Sequence, residues 1–364
     1  MKTSPKVRGS AAPRFRKAKA AALAAVLAPA LALAACSPRQ EAGAPKKLYI
    51  YNWTYYTPDS VIEKFEKEYG VDVVYDFFDS NESMFAKLKA GGSGYDITFP
   101  SGDYVSIMMK EDMLLPIDRT KLSNLGNIDP VVLGKALYDP DMAWSVPYYM
   151  GAAGVAVRKD KVPEYEESWS IFAREDLAGK MTMLDDMREV MGDALKYLGH
   201  SVNTLEPAEL AAAEKLIQEE WKPNLVRFDA EAFAKGFAAG EFWVVQGYAE
   251  SVYAEVAESD RDQVGFFIPK EGGPMYIDSM VILKDSKNVD LAHKFIDFIH
   301  RPEIYAEFCD AFGFPATANV PARALQTKTP YYTAEALANC ELKDDLGEGL
   351  EAYNEIWQRI KIGD

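Results

Sequence analysis

From Lys46 onward the chain alternates short strand-type runs with amphipathic helix-type runs, and this alternation restricts the fold more than any other feature. Strand–helix successions bury a sheet under flanking helices, so the expected class is layered α/β. Residues 46–53 and 72–78 read as strands. Between them 60–69 reads as a helix, with Val61, Ile62, Phe65 and Tyr69 on one face and Glu63, Lys64, Glu66 and Lys67 on the other. A helix over 80–90, a short strand over 96–100, a helix over 104–112 and an extended, polar-poor crossing segment over 145–157 follow. A second series has strands at 180–184, 225–228 and 242–246, with helices at 188–198, 207–221, 232–239 and 251–257. Strands at 264–268 and 276–283 and helices at 289–300, 303–312 and 348–362 complete the chain, without internal repeats. Two such series imply two lobes, which 48% apolar residues over about 320 folded positions can fill with core.

The start of the chain is of another kind. Seven basic residues and no acid occupy the first twenty positions, and 20–35 is apolar with only Pro29 interrupting it. That run is shorter than the ~20 residues needed to span a bilayer and matches a secretory signal. Leu33-Ala34-Ala35-Cys36 resembles a bacterial lipobox, whose cysteine is lipidated and becomes the new N-terminus. An ordinary signal peptide, with Cys36 lost or free, is the alternative. The expected layout is thus a signal over 1–35, lipidated Cys36 and a tether over 36–45, and an exported protein held on the periplasmic or cell-surface side. Removing the leader leaves 33 of the 40 Lys+Arg against all 56 Asp+Glu, a net charge near −23 instead of −16. Such a surface repels nucleic acid and draws in cations. Cys309 and Cys340 are either a disulfide pair or two buried small hydrophobes.

Open α/β sheets bind ligands beyond the carboxyl ends of their strands. Trp53, Thr54, Tyr55 and Tyr56 follow the first strand, and ring faces attract ammonium groups by about 0.5–2 kcal/mol each. Ser101 and Asp103 stand where a strand becomes a helix, a position that helix capping also explains. Asp186 and Glu189 form nearly a capping box, and the same spacing sets two carboxylates at one helix start. Tyr248 with Glu250, and Tyr276 with Asp278, each place an aromatic two residues before an acid. Residues two apart in a strand share a face, so Asp278 falls in an apolar run where an unpaired charge is costly. Together these clusters suit a small organic cation.

Catalytic readings find little support. The three histidines, His200, His293 and His300, join no nucleophile motif, and no phosphate loop, Cys-x-x-Cys pair or calcium loop is present. No catalytic residue, cofactor or metal ligand is expected. A secreted hydrolase built on paired carboxylates is the remote enzymatic alternative.

Tyr51-Asn52-Trp53-Thr54-Tyr55-Tyr56, Asp79-Ser80-Asn81-Glu82, Phe99-Pro100-Ser101, the stretch from Asp118 to Asp129-Pro130, Val146-Pro147-Tyr148, Asp186 to Glu189, Pro269-Lys270-Glu271-Gly272-Gly273 and Ile277-Asp278-Ser279 occur in this order. Over nearly all of 47–364 the chain thereby resembles the polyamine-binding receptors of bacterial ABC importers. The resemblance implies a two-lobed periplasmic-binding-protein fold of type II, each lobe a mixed sheet flanked by helices, closing on its ligand. It implies a polyamine ligand, an inner-membrane permease as partner, and a monomer. Segments 46–149 with 275–312 are expected in the first lobe, and 150–274 with 313–364 in the second. Matched site positions are Trp53, Thr54, Tyr56, Ser101, Asp103, Asp186, Glu189, Tyr248, Tyr276, Asp278 and Phe314. Tyr55 stands where these receptors often carry an acid, Tyr248 and Tyr276 where tryptophan is usual, and Phe314 where a tyrosine is usual. Glu250 replaces a small residue and can supply the acid missing at Tyr55. Keeping both Asp186 and Glu189 resembles the spermidine-type receptors more than the putrescine-type ones, so spermidine is expected over putrescine. A same-fold receptor for thiamine, a basic amino acid or ferric ion is the alternative.

Overall fold

A computed structural model of the chain describes residues 46–54, 56–78, 80–91 and 94–362. The leader, Cys36, the tether, Tyr55 and Asp79 lie outside the described residues. Strands β1 (Lys46–Trp53), β2 (Val71–Phe78), β3 (Ile97–Thr98), β4 (Leu114–Leu115) and β5 (Ser145–Ala152) come first. Next are β6 (Gly154–Arg158), β7 (Met181–Met183), β8 (Leu225–Phe228), β9 (Val244–Gly247) and β10 (Val264–Phe267), followed by β11 (Pro274–Leu283) and β12 (Glu341–Leu342). The first five and last two strands make one sheet, ordered β12-β11-β3-β1-β2 with β4 and β5 also on β11. The middle five make the second, ordered β10-β6-β9-β7-β8. Both are mixed: β2 and β3 run parallel to β1, whereas β11 runs antiparallel to β3 and β5. In the second sheet β7 is parallel to β8 and β9, and β6 is antiparallel to β9 and β10. Two helix-flanked mixed sheets are the α/β, two-lobed architecture that the alternation implied.

Local patterning explains the elements. Helix Asp59–Tyr69 buries Val61 and Phe65 and stops at Gly70, whose φ of 64° costs glycine nothing. The expected single helix over 207–221 is instead an α-helix, Pro207–Leu216, followed by a π-type turn, Ile217–Trp221. The wider turn brings Trp221 fully inside, 6.2 Å from the ring of Phe172.

The polar-poor segment expected to cross between lobes is two strands, β5 and β6, separated by Ala153. All eight residues of β5 are buried. The chain returns over 268–273, where a Cβ on Gly272 would sit 2.1 Å from the carbonyl oxygen of Asn339. A third passage, 343–349, leads from β12 to the C-terminal helix Leu350–Ile362.

The segment 313–342, expected with 313–364 in the second lobe, bonds to both lobes. Glu341 accepts from the Val202 N–H at 3.1 Å, the Asn203 amide donates to the Leu342 carbonyl at 2.8 Å, and Tyr331 stacks on Tyr253 at 3.9 Å. Other contacts tie it to the first. Asn319 bridges Ile128, Arg323 pairs with Asp129, the Thr317 hydroxyl donates to the Met150 carbonyl at 2.9 Å, and β12 pairs with β11. The C-terminal helix joins the second core, with Tyr353, Ile356, Trp357 and Ile360 beside Trp169, Phe172 and Trp221. Amphipathic patterning reports that an element has an apolar face, not which sheet covers it. Cys309 and Cys340 are both buried and both free, so the small-hydrophobe alternative describes them.

Candidate ligand-binding site

The carboxyl ends of β1 and β3 in one lobe, and of β7 and β9 in the other, open onto a single cleft of about 1300 Å³. Trp53, Thr54 and Tyr56 reach it from the end of β1, and Ser101 and Asp103 from beyond β3. Asp186 follows β7, and Tyr248 and Glu250 follow β9. Tyr276 and Asp278 also line it, but from inside β11. They reach the same place because β11 runs against β3, so its first half lies at the carboxyl ends of its neighbours. Phe314, 1% exposed, closes the floor by stacking on Tyr149 at 4.4 Å.

Asp278 is the best-anchored acid. It is 4% exposed, and a backbone bridge ties it to Ser101. The Tyr56 hydroxyl donates to Oδ2 at 2.7 Å and the Ser101 hydroxyl to Oδ1 at 2.6 Å. Two neutral hydroxyls thus hold the carboxylate, and among the described residues no cation is bonded to it, Lys343 acting on it only through space. Burial pushes its pKa up to about 7 despite the two donors that pull it down. Glu250, at the start of helix Ala249–Glu255, is likewise pushed up to about 7, by burial and then by the charge of Asp278.

The capping alternatives resolve in opposite directions. Ser101 precedes helix Gly102–Lys110 but makes no side-chain cap; its hydroxyl serves Asp278. Asp186 does cap helix Met187–Tyr197, accepting from the N–H groups of Arg188 at 2.8 Å and Glu189 at 3.1 Å. Both roles are compatible with facing the cleft, and both residues do.

Glu189 is the exception. It is fully buried, does not line the cleft, and one of its oxygens accepts from the ammonium of Lys343. Of the two carboxylates expected together at this helix start, Asp186 faces the cleft and Glu189 is bound to an internal cation. Sequence inspection could not find Lys343, which sits 154 residues from its partner in a run of exposed acids, Asp344 and Asp345.

Rings wall the space between the acids. The Trp53 indole N–H donates to the Phe99 carbonyl at 2.9 Å and its ring lies 4.6 Å from Phe78, fixing its plane. Tyr248 meets Tyr276 edge-on at 6.1 Å. Nine carboxylates (Glu82, Asp103, Asp186, Glu250, Glu258, Asp278, Asp310, Asp344 and Asp345) line the cleft against Arg188, Arg261, Lys328 and Lys343. The excess of negative charge selects for cations, and the rings admit methylene chains. Among the described residues no group of three or more His, Cys, Asp or Glu is disposed to hold a metal ion.

Residues 60–338 match the family model described as bacterial extracellular solute-binding protein. The chain is 38% identical over 324 residues to the spermidine/putrescine-binding periplasmic protein of Escherichia coli (strain K12), covering 87% of this chain and 92% of that one. It is 34% identical over 340 residues to a putrescine/cadaverine-binding protein of Pseudomonas aeruginosa, covering 88% and 95%. The crystal structure of the TpPotD lipoprotein of Treponema pallidum superposes with a TM-score of 0.84 at 52% identity, covering 87% of this chain and all of that one.

Proposed function

The chain belongs to the bacterial extracellular solute-binding proteins, among the polyamine receptors of ABC importers, and from that premise we propose that it captures a linear polyamine in the acidic, ring-lined cleft. It is a binding protein and not an enzyme, as its relatives are. The observation that carries the reading is Asp278, a buried carboxylate held by two neutral hydroxyls and facing a ring-lined space, with no cation bonded to it among the described residues. An alkylammonium supplies the missing charge, and each further amine finds another acid along the cleft. Coulomb attraction is worth about 4 kcal/mol at 4 Å with an effective dielectric near 20, before desolvation. Closure of the lobes about the three chain passages would then dry the site and strengthen each contact. No bond is made or broken.

Trp53, Thr54, Tyr56, Ser101, Asp103, Asp186, Tyr248, Glu250, Tyr276, Asp278 and Phe314 are the proposed contacts, all on the cleft wall; Tyr55 keeps its place in the proposal from sequence alone. The preference for spermidine over putrescine rested on Asp186 and Glu189 acting together, and the Lys343–Glu189 pair removes one of those two acids from the cleft. Export, a monomeric receptor handing its ligand to an inner-membrane permease, and a lipid anchor at Cys36 belong to the same proposal. The lipobox-like Leu33-Ala34-Ala35-Cys36 supports the anchor. Cys36→Ser would release the protein from the membrane fraction; continued retention would refute it.

Calorimetric titration with polyamines, on protein freed of carried-over ligand by refolding, tests the function. One-to-one binding is expected, tightening from pH 6 to pH 8. Asp278 and Glu250, each pushed up to about 7, are partly protonated in the free protein, and an ammonium favours their anions. Binding therefore expels protons, and affinity gains up to about tenfold per carboxyl across that window. A pH-independent affinity would remove both acids from the contact, and folded protein giving no heat would exclude polyamines. Thiamine, a basic amino acid or ferric ion would then be titrated in turn.

A further inference from the structure

The Lys343–Glu189 pair meets the cleft through Lys343, and its construction is specific. Glu189 is 1% exposed at its side chain, and its second oxygen is without a hydrogen-bond partner among the described residues. A carboxylate so placed is costly to ionise alone, so the lysine is what makes its charge tolerable. Lys343 keeps 19% of its side chain exposed, at the cleft wall. Its ammonium lies in the field of Glu189, Asp186 and Asp103, and acts in turn on Asp193 and Asp278.

The backbone around Lys343 is held from both lobes. Its own N–H donates to the Met275 carbonyl at 3.1 Å. On the other side the Asn203 amide donates to the Leu342 carbonyl at 2.8 Å, and the Asp344 N–H donates back to Asn203 at 3.0 Å. Arg188 donates to the Asp344 carbonyl at 3.1 Å. The ammonium is thus a fixture of the site, not a mobile surface charge.

Lys343 and Arg188 act on both Asp103 and Glu189, and Lys343 also acts on Asp278. Glu82 and Asp193 add to the negative character around them. The Lys343 ammonium is the one bonded to Glu189, so the amine position at that carboxylate is already filled, while Asp103, Asp186, Glu250 and Asp278 stay on the cleft wall for the ligand.

Resting on the polyamine reading above, we propose that Lys343 is a resident ammonium that fills the third amine position, so that the cleft selects a linear diamine over a triamine. A triamine would press its additional charge against Lys343, and like charges so juxtaposed discriminate strongly.

Competitive titration of the full exported protein with putrescine and spermidine tests this. The diamine is expected to bind about tenfold or more tightly. Lys343→Met removes the charge at similar length and should shift the affinity ratio about tenfold or more toward spermidine. Adding Glu189→Gln to Lys343→Met should cancel most of that shift, because the freed carboxylate is what receives the extra amine. Equal or tighter spermidine binding by the wild-type protein would overturn the proposal without needing any variant to fold. A ratio that does not move in a folded Lys343→Met protein would also overturn it. If neither polyamine binds, the functional reading itself fails, which is a different result from tight binding with the opposite preference.

Discussion

Replacing Asp278 by Asn should weaken polyamine binding by about 2–4 kcal/mol, roughly 30- to 1000-fold, while the protein folds normally. The loss is large because an ammonium left in a desolvated cleft without its counter-charge keeps its desolvation cost and loses its attraction. The fold survives because both partners of Asp278 are hydroxyls, which can donate to the Asn oxygen or turn to accept from its amide. The pH dependence of stability separates the two effects. Burial raises the pKa of Asp278 to about 7, above the ordinary carboxylate value. An acid raised in the folded state favours folding while protonated, and that contribution is lost as pH climbs from about 4 through 7. Asn does not ionise, so the ligand-free variant should gain stability relative to wild type as pH rises from 5 to 8. Calorimetric titration and thermal melts of both proteins decide it. An unchanged affinity would take Asp278 out of the site, and a collapse of the melt at pH 5 would make its role structural.

The second large effect concerns the frame. Asp96, 1% exposed, accepts from the Tyr49 N–H at 2.9 Å, the Ser286 hydroxyl at 2.7 Å, the N–H groups of Lys287 and Asn288 at 3.1 Å, and the Asn288 amide at 3.1 Å. One carboxylate thereby joins β1, the approach to β3 and the loop after β11. Asp96→Ala would leave several buried donors without a partner and should destabilise the fold by about 3–5 kcal/mol, measured by denaturant unfolding. Polyamine affinity of the remaining folded protein should change little. Leu283 bonds the Asp96 carbonyl at 3.0 Å, and Asp278 lies five positions back along β11, roughly 17 Å of strand. A stability loss under about 1 kcal/mol would mean that water replaces these donors' partner. A matching loss of affinity would mean that the two ends of β11 are coupled.

Much of this was legible before any coordinates. Strand and helix periods are set by neighbours two, three and four residues apart, so β1, β8 and helix Asp59–Tyr69 could be read almost to the residue. The rule that sites gather at strand carboxyl ends placed Trp53, Ser101, Asp186 and Tyr248 on one cleft. Asp278 stood out because an acid in an apolar strand needs a reason to be there. The bonding of 313–342 to both lobes was not legible, nor was the π-type turn that buries Trp221.

Local order and the acidic, aromatic character of the chain are properties of the sequence by itself, because each depends on near neighbours or on totals. Which charges meet is different. The capping role of Asp186 and the capture of Glu189 by Lys343 arise at the same helix start, from acids three residues apart with similar sequence surroundings. Only the third passage of the chain past the cleft brings the lysine there, and only burial makes the pairing worth more than hydration. The kind of ligand was written in residue types; the number of charges left for it was decided by the tertiary structure, since a buried charge is settled by whatever partner the fold delivers.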